Sequence, residues 1–312
     1  MKILVTGGAG FIGSHIAEAC LRRGDEVVII DNLTSGHRSN LASFIRDVQF
    51  VEGDVRDRKL LSICAAGCDV IYHQAAIVSV PYSIEHPRET HDVNIIGTFN
   101  VLEAAREAQA GRVVFACSAA VYGEDPELPK HEGMNTQPIS PYGLEKLTGE
   151  HYAKIYHALY GLETVSLRYF NVFGPRQDPK SPYSGVISIF VDRLLSGETP
   201  TIFGDGEQCR DFVFVENVVQ ANLLAGSAPK AAGRSYNIGL GERTTLNQLV
   251  EVLGRIEDRP FSARYEAARA GDIRASYADI SRARSELDYS PSVGVEEGLR
   301  RLLAYNHSAS GA

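Results

Sequence analysis

Met-Lys-Ile-Leu-Val-Thr-Gly-Gly-Ala-Gly-Phe-Ile-Gly, residues 1–13, opens the chain and decides its fold. The apolar run at 3–5 is typical of a strand buried on both faces of a parallel sheet. Gly7, Gly10 and Gly13 follow, and residues 14–23 then have a helical pattern. The first glycine permits a tight turn, the second lets backbone approach a pyrophosphate, and the third lets helix and strand pack closely. This order predicts a dinucleotide-binding turn with phosphates at the helix N-terminus.

A second apolar run, at 27–30, ends in Asp31. A carboxylate at this point accepts hydrogen bonds from the adenosine ribose hydroxyls and repels a 2′-phosphate. No Arg or Lys lies between Asp31 and Gly36, although His37 and Arg38 follow closely. The sequence therefore predicts NAD rather than NADP as the cofactor.

Composition excludes several classes of partner. The net charge is −8 over 312 residues with no basic cluster, which argues against nucleic acid and anionic membrane. No apolar stretch is long enough to span a bilayer. The five cysteines are odd in number and include no Cys-x-x-Cys pair, which predicts reduced thiols, a cytoplasmic protein and no metal site.

Strand and helix patterns alternate through the first half of the chain. Predicted strands at 3–5, 27–30, 48–51, 69–72, 112–117 and 164–168 alternate with predicted helices at 14–23, 58–66, 87–109 and 142–160. This rhythm predicts an α/β fold, a doubly wound (Rossmann) parallel sheet, over residues 1–175 with 207–230 returning to it. Residues 176–206 and 231–312, with predicted helices at 185–195, 245–257, 279–287 and 295–305 and short strands at 200–203 and 262–265, are expected to form a smaller C-terminal α/β substrate-binding lobe.

Tyr142 and Lys146 are spaced i, i+4 near the start of a predicted helix, so both should point the same way. An ammonium beside a phenol favours phenolate and would make Tyr142 a usable proton acceptor near neutral pH. Chance alone gives such a pair about 0.3 times in a chain of this composition, and a surface pair with snorkelling side chains is the alternative. The functional interpretation of the pair is favoured because the dinucleotide-binding pattern lies upstream of it.

Two polar residues end predicted strands at the edge where ligands of such sheets bind. Ser118 follows the strand at 112–117 and could hydrogen-bond a substrate oxygen beside Tyr142, or it could close the strand with a local turn. Asp54 could meet the adenine edge of the dinucleotide, or it could cap the helix that begins near Arg58.

Motifs along nearly the whole chain resemble those of the extended short-chain dehydrogenases/reductases, specifically the nucleotide-sugar 4-epimerases. The matching pieces are Thr6-Gly-Gly-Ala-Gly-Phe-Ile-Gly13, Asp31-Asn-Leu33, Gly53-Asp-Val55, His73-Gln-Ala-Ala76, Asn94-x-x-Gly-Thr98, Ser118-Ala-Ala-Val-Tyr-Gly123, Ser140-Pro-Tyr-Gly-x-x-Lys146, Arg168-Tyr-Phe-Asn-Val-Phe-Gly-Pro-Arg176, Phe203-Gly-Asp-Gly-x-x-x-Arg-Asp-Phe212 and Arg269-Ala-Gly-Asp272. The branch acting on UDP-N-acetylhexosamines is most similar, through Ser79-Val-Pro81, Gln177-Asp-Pro179 and Tyr183-x-Gly-Val-Ile187.

The resemblance implies a catalytic trio of Ser118, Tyr142 and Lys146 that removes the proton of the sugar 4-hydroxyl while NAD takes the C4 hydride. The 4-keto sugar would then turn over, and the hydride would return to its other face. Lys146 would also hold the nicotinamide ribose. The other implied NAD-binding residues are Gly7, Gly10, Phe11, Ile12, Gly13, Asp31, Asn32, Ser35, Gly36, Asp54, Val55, Gln74, Ala75, Ala76, Asn94 and Phe170.

For the UDP-sugar, the resemblance implies that Arg210 and Arg269 hold the diphosphate and that Asp272 and Phe203 serve the uridine. Asn171 would meet the diphosphate or the sugar. The remaining implied substrate residues are Ser79, Gln177, Gly185, Val186 and Ser276. Each charged residue of this group, taken alone, could equally be a solvated surface group.

Two features narrow the implied reaction. Ala119 and Ala120 stand where related 4,6-dehydratases carry an Asp-Glu pair and decarboxylating relatives a Glu, which leaves simple epimerisation. Close relatives often have Ser in place of Ala119, so one hydrogen bond to the sugar is expected to be missing. Ser276 stands where the family walls the sugar pocket, and a small residue there admits a 2-acetamido group.

A UDP-glucuronate 4-epimerase has the same trio and is the alternative enzyme. It would need a group near Ser79, Gln177 or Gly185 for a C6 carboxylate; no Arg there is dedicated to this role by the motifs, and Arg88 and Arg176 stay open as candidates. A non-catalytic NAD-binding regulatory protein would not be expected to keep the trio together. The predicted helices near 87–109 and 141–160 resemble those that form a four-helix bundle in family dimers, so a homodimer is expected.

Overall fold

The computed structural model describes residues 1–178, 185–268 and 273–310. Its strands, in chain order, are β1 (Lys2–Thr6), β2 (Glu26–Asp31), β3 (Gln49–Glu52), β4 (Val70–His73), β5 (Arg112–Ser118), β6 (Glu163–Tyr169), β7 (Asn171–Phe173), β8 (Thr201–Phe203), β9 (Cys209–Arg210), β10 (Phe212–Phe214), β11 (Arg234–Ile238), β12 (Thr244–Thr245), β13 (Arg264–Glu266) and β14 (Ala275–Ser276).

The helices follow the same numbering. They are α1 (Phe11–Arg22), α2 (Arg58–Ala65), α3 (Val80–Glu85), α4 (Pro87–His91), α5 (Gly97–Glu107), α6 (Pro141–Tyr160), α7 (Val186–Leu195), α8 (Val215–Ala225), α9 (Leu246–Ile256), α10 (Ser281–Leu287) and α11 (Val295–Ser310). A π-helical segment, Asp92–Ile96, joins α4 to α5. No described helix is long and apolar enough to cross a membrane.

Seven parallel strands form the main sheet, in the order β11-β6-β5-β4-β1-β2-β3. The chain order reverses between β1 and β4, and the loops after these strands therefore diverge and leave a crevice at the carboxyl edge of the sheet. The predicted doubly wound α/β fold is confirmed. Ser118 ends β5, which is the strand next to β4, so it lies beside this crevice.

Alternating residues of β1 enter two separate cores. Ile3 and Val5 pack in the cluster under α1 and α8, while Leu4 packs in the cluster under α2 and α5. Because both faces are covered by helices, the short apolar run at the N-terminus is buried on both sides, as its composition predicts. The crevice is thereby held between two rigid layers.

The second lobe is built from short strands: β9 lies between β12 and β14, β13 pairs with β8, and β10 pairs with β7. Its core is continuous with the cluster under α1 and α8. Two strands differ from the predicted division. β9 lies within 207–230 yet pairs with β12 and β14, and β11 lies within 231–312 yet pairs in parallel with β6 at the edge of the main sheet. Two polar residues of β11, Ser235 and Asn237, are buried. Polar residues at these positions are not typical of a buried strand, so the sequence did not predict β11.

The predicted helix over 87–109 is present but interrupted. Its first half is α4, its second half is α5, and the π-helical segment lies between them. A further helix, α3, precedes it and was not predicted from the sequence. π-helical turns are rare and often occur at functional sites, and this one contains Asn94.

Candidate active site

The turn between β1 and α1 lies at the carboxyl edge of β1, and the first N–H groups of α1 have no partner within the helix. Gly7 has φ +67°, and its carbonyl oxygen accepts the N–H of Gly10 at 3.1 Å. α1 then begins at Phe11 with no side-chain cap and no acidic residue in its first turn. A Cβ on Gly13 would lie 2.1 Å from the Gly7 oxygen, so only glycine fits there. These donors and the positive end of the helix suit the phosphates of a dinucleotide.

Asp31 lies directly behind this turn and is only 7% exposed. Its Oδ2 accepts the N–H of Ala9 at 2.9 Å, and its Oδ1 accepts the N–H of Leu33 at 2.8 Å. Burial raises the pKa of this carboxyl, and the backbone hydrogen bonds oppose that effect. Gly36 keeps the space beside it open, because a Cβ there would lie 2.8 Å from Asp31 Oδ1. Ser35 next to it is exposed.

Asp54 and Asn32 meet at the carboxyl edge of β2 and β3. Asn32 Nδ2 donates to Asp54 Oδ2 at 2.8 Å, and Arg56 donates to both carboxylate oxygens at 2.8–2.9 Å. The Arg56 hydrogen bonds lower the pKa of Asp54 to about 2. Asp54 does not cap α2, since Asp57 accepts the Leu60 N–H there, so the capping alternative for Asp54 is wrong. Val55 turns inward and is buried.

The loop after β4 abuts the glycine turn. A Cβ on Gly7 would lie 2.7 Å from the Ala75 nitrogen, so Ala75 lies against the glycine turn, and Ala76 follows it in the same loop. Gln74 Nε2 donates to the Tyr169 hydroxyl at 3.2 Å. The Ser79 hydroxyl, predicted to bind substrate, accepts the Tyr82 N–H and caps α3.

Asn94 holds this same loop to α6. Its amide exchanges hydrogen bonds with both backbone groups of Ile77, at 2.8 and 2.9 Å, and also donates to Glu145 Oε2 at 2.7 Å. Both Asn94 and Glu145 are buried. The Asn94 amide is thus engaged within the protein, although the resemblance assigns it to NAD.

Tyr142 and Ser118 come together where β5 ends and α6 begins. Tyr142 is 8% exposed, which excludes the alternative of a surface pair. Ser118 Oγ accepts the Ala120 N–H at 3.2 Å, so the local turn at the end of β5 also forms. Burial raises the pKa of Tyr142 to about 12, while a hydrogen bond with Ser118 lowers it. Ala119 and Ala120 begin the short 3₁₀ turn beside them.

Lys146 lies one helical turn beyond Tyr142 and is 4% exposed. Its Nζ donates to the Ala116 carbonyl at 2.8 Å and lies 5.9 Å from the Tyr142 ring centroid. Burial lowers the pKa of Lys146 to about 8. That Lys146 keeps the pKa of Tyr142 low stays a prediction for the protein with its ligands bound. In the chain alone, the Lys146 ammonium donates to a carbonyl, and burial is the largest influence on the phenol and raises its pKa.

A buried ion pair fixes the next turn of α6. Arg168 donates to both carboxylate oxygens of Glu150, at 2.7 and 2.8 Å, and also to the Tyr122 hydroxyl at 2.9 Å. Burial raises the pKa of Glu150, but the Arg168 hydrogen bonds and charge, together with Lys154, outweigh it and lower the pKa to about 2. The helix that carries Tyr142 and Lys146 is therefore tied to β6 by a charged, bidentate contact.

The second lobe brings two predicted substrate residues side by side. Arg210 and Ser276 are Cα partners of paired strands, and each is partly exposed. Asn171 is exposed where β7 pairs with β10, and Phe203 ends β8.

The remaining predicted site residues of this part are Gln177, Gly185, Val186, Phe170, Arg269 and Asp272. Gln177 accepts a hydrogen bond from Ser188 at 2.7 Å, and Gly185 precedes the first residue of α7, Val186. Phe170 is buried. Arg269 and Asp272 lie outside the described residues. The described residues contain no group of His, Cys, Asp or Glu that could hold a metal ion.

Sequence reasoning missed a buried chain of hydrogen bonds behind the crevice. The Thr6 hydroxyl and the His73 Nδ1 are 2.7 Å apart, and His73 Nε2 and the Thr98 hydroxyl are 2.9 Å apart. Thr98 in turn donates to the Asn94 carbonyl. Burial lowers the pKa of His73 to about 3, so the ring is neutral. A histidine directly after an apolar strand was the signal available in the sequence.

Comparisons with known proteins agree with this geometry. Residues 3–239 match the model of the NAD dependent epimerase/dehydratase family. The chain is 43% identical over 303 residues to a putative UDP-glucose 4-epimerase of Methanocaldococcus jannaschii, a match that covers 96% of this chain and 97% of that protein.

Two solved structures are similar throughout. One is a UDP-N-acetylglucosamine 4-epimerase from Methanobrevibacter ruminantium in complex with UDP-N-acetylmuramic acid, with a TM-score of 0.94, 39% identity and coverage of 99% of this chain and 98% of that one. The other is the Thermus thermophilus UDP-glucose 4-epimerase in complex with NAD, with a TM-score of 0.90, 37% identity and coverage of 99% and 100%.

The family match spans the glycine turn, the Ser118–Tyr142–Lys146 group and the last strand of the main sheet. It confirms the resemblance drawn from the sequence motifs, the prediction of an epimerase and the prediction of NAD as cofactor. The chain therefore belongs to the NAD-dependent epimerase/dehydratase family.

Proposed function

We propose that this protein is a UDP-hexose 4-epimerase that interconverts UDP-N-acetylglucosamine with UDP-N-acetylgalactosamine and UDP-glucose with UDP-galactose. One observation carries the proposal: Ser118, which is partly buried, lies with the buried Tyr142 and Lys146 at the strand edge beside a dinucleotide turn, and the two residues directly after Ser118 are not carboxylates. The family and the similar 4-epimerases support the same reaction class.

The glycine turn and Asp31 hold NAD, which supplies the acceptor and later the donor for the hydrogen on C4 of the sugar. With NAD bound, the N–H groups at the start of α1 would hold its pyrophosphate. The Asp31 carboxylate, already oriented by Ala9 and Leu33, accepts from the ribose hydroxyls through its remaining lone pairs. The Gly36 backbone leaves room for them.

Tyr142 handles the proton. When ionised, its phenolate oxygen takes the proton of the sugar 4-hydroxyl and returns it to the 4-oxygen in the second half-reaction. Ser118 lowers the pKa of the phenol by hydrogen bonding and orients the same sugar oxygen. Lys146, whose pKa of about 8 leaves it largely charged at neutral pH, holds the adjoining ribose.

The residues after Ser118 restrict the outcome to epimerisation. Elimination of water or loss of a carboxyl group beside a 4-ketone needs an acid or base close to the sugar. Ala119 and Ala120 provide neither, so the 4-keto sugar can only be reduced again. Reduction on the opposite face gives the 4-epimer.

Substrate selection rests on the paired strands β9 and β14. Arg210 offers a planar guanidinium that suits a diphosphate. Ser276, its Cα partner, is the sugar wall, and its small side chain leaves room for a 2-acetamido group. The nucleotide is thus gripped while the sugar remains free to turn.

The test is to incubate the purified protein with UDP-N-acetylglucosamine, UDP-glucose and UDP-glucuronate, and to separate the 4-epimers. Epimers of the first two are expected, and exclusive turnover of UDP-glucuronate would overturn the substrate assignment. Tyr142→Phe should abolish turnover, whereas Tyr305→Phe, an exposed tyrosine on α11, should not. Unchanged turnover by Tyr142→Phe would overturn the role of the phenol.

We also propose a homodimer in which α5 and α6 pair with those of a second copy. Leu144, Ile155 and Leu159 are 54%, 48% and 70% exposed, and their spacing places them on one stripe of α6. Ile96, just before α5, is 42% exposed. Apolar residues in such a stripe are typical of a helix face that another chain covers.

A further inference from the structure

Asp211, which lies between β9 and β10, is fully buried. Its carboxylate accepts three backbone N–H groups: that of Leu240 at 2.7 Å on Oδ1, and those of Gly241 at 3.0 Å and Ala278 at 3.1 Å on Oδ2. Two separate segments of the second lobe, 239–241 and 276–278, therefore converge on one side chain.

The backbone of Asp211 forms hydrogen bonds with two further residues. Its N–H donates to the Ser276 carbonyl at 3.0 Å, and its carbonyl accepts the N–H of Asn171 at 3.0 Å. Arg210 is its immediate neighbour in the chain. Each of the three residues proposed to hold substrate in this region is thus bonded or adjacent to Asp211.

Burying the Asp211 carboxylate costs free energy, which indicates that this residue has a role beyond stabilising the fold. Within the described residues it pairs with no cationic side chain, and burial raises its pKa to about 6, with the Glu242 charge adding to the rise. A buried carboxylate without a cation destabilises a fold at neutral pH unless hydrogen bonds compensate for its lost hydration. Among the described residues, the compensation comes from three backbone N–H groups of the segments that it joins.

The backbone at residue 239 is shaped around the same carboxylate. A Cβ on Gly239 would lie 2.5 Å from Asp211 Oδ2, so any larger residue would push the carboxylate or the loop away. The Tyr289 hydroxyl donates to the Gly239 carbonyl at 2.9 Å and holds the loop from the other side.

We propose that Asp211 is a positioning residue that fixes Arg210, Asn171 and Ser276 relative to one another and so sets the affinity of the site for the nucleotide diphosphate. This inference rests on the proposed function for the roles of those three residues. Asp211 itself is buried behind them and touches no substrate.

The Asp211→Asn variant tests this inference directly. The amide keeps one acceptor oxygen and turns an NH₂ group toward a backbone donor, so at least one hydrogen bond to a charged acceptor is lost. The dissociation constant of UDP, measured by calorimetry, and the KM for UDP-N-acetylglucosamine should each rise about tenfold. The kcat and the amount of bound NAD should stay within about twofold of the wild type.

Gly239→Ala approaches the same carboxylate from the opposite side and should weaken UDP binding in the same way. Asp25→Asn is the matched control, because Asp25 is also a buried carboxylate but pairs with the N-terminus and Arg23 at the far edge of the sheet. It should lower the melting temperature and leave the affinity for UDP unchanged.

Two results would overturn the positioning role. One is a lower melting temperature for Asp211→Asn with unchanged UDP affinity, and the other is a lower kcat with unchanged KM. The calorimetric measurement does not need turnover, so failure of the proposed function can be told apart from failure of the positioning role. A wild-type protein that binds UDP but epimerises no UDP-hexose would contradict the proposed function alone. Absence of UDP binding by the wild type would defeat both.

Discussion

Gly13→Ala should separate the dinucleotide turn from the rest of the fold. The added Cβ would lie 2.1 Å from the Gly7 oxygen and 2.9 Å from the Gly7 carbon and the Gly8 Cα. These are backbone atoms of the turn itself, so they cannot move aside as a flexible side chain would. A retreat of about 1 Å is needed to restore van der Waals contact.

Overpacking of this kind costs about 2 kcal/mol. The turn that has to move is the one expected to hold the pyrophosphate, so the same distortion should weaken NAD binding by about thirtyfold. The assay is the amount of NAD released by acid from the purified protein, together with the dissociation constant of added NAD. Circular dichroism and the melting temperature show whether the variant is folded.

Gly294→Ala is the matched control, because a Cβ at Gly294 would meet nothing within 4 Å and its φ is not positive. It should bind NAD like the wild type. A folded Gly13→Ala protein with wild-type NAD content would refute the argument that this turn holds the cofactor.

Three further variants test other contacts. Glu150→Gln leaves the buried Arg168 guanidinium without its counter-charge and should lower the free energy of unfolding in urea by about 3 kcal/mol. Because the pKa of Glu150 is lowered to about 2, its stabilisation should be present above pH 4.5 and lost as the pH falls toward 2, and a pH-independent difference from the variant would contradict this. Ser276→Tyr should abolish turnover of UDP-N-acetylglucosamine and spare UDP-glucose, and equal loss of both would contradict the wall assignment. Leu144→Glu should convert the dimer into a monomer, as measured by light scattering. A wild-type protein that is monomeric at micromolar concentration would contradict the dimer proposal.

The sequence predicted best where local geometry leaves one choice. A buried apolar strand followed by three spaced glycines admits few structures, and the turn between β1 and α1 is the one expected. Asp31 could be predicted as the ribose-binding carboxylate because it ends the next apolar run. The i, i+4 spacing likewise placed Tyr142 and Lys146 on one face of α6.

Contacts between distant segments could not be read from such patterns. β11 was missed because its buried Ser235 and Asn237 look like surface residues. Asn237 is inside because its amide accepts from the Tyr122 hydroxyl and donates to the Lys130 and Asp279 carbonyls. Asn94 in the π-helical segment bonds to both Ile77 and Glu145, which are distant in the chain, and the sequence did not indicate either contact.

The surroundings of Tyr142 could not be predicted from the sequence for a related reason. The spacing placed an ammonium on the same face of the helix, but it could not show that Lys146 Nζ is directed to the Ala116 carbonyl. It also could not show how completely the phenol is buried. Asp211 was visible as a lone carboxylate before the apolar run 212–215, yet its three N–H partners come from segments about 30 and 67 residues away.

The most direct test of the central claim follows the hydrogen on C4. The purified protein is incubated with UDP-N-acetylglucosamine that carries deuterium at C4, in ordinary water, and the 4-epimer is analysed by mass spectrometry and NMR. If the hydrogen is removed and returned within one closed site beside Tyr142, the epimer will retain the deuterium at C4. An epimer that has exchanged its C4 deuterium for hydrogen from water would contradict the account.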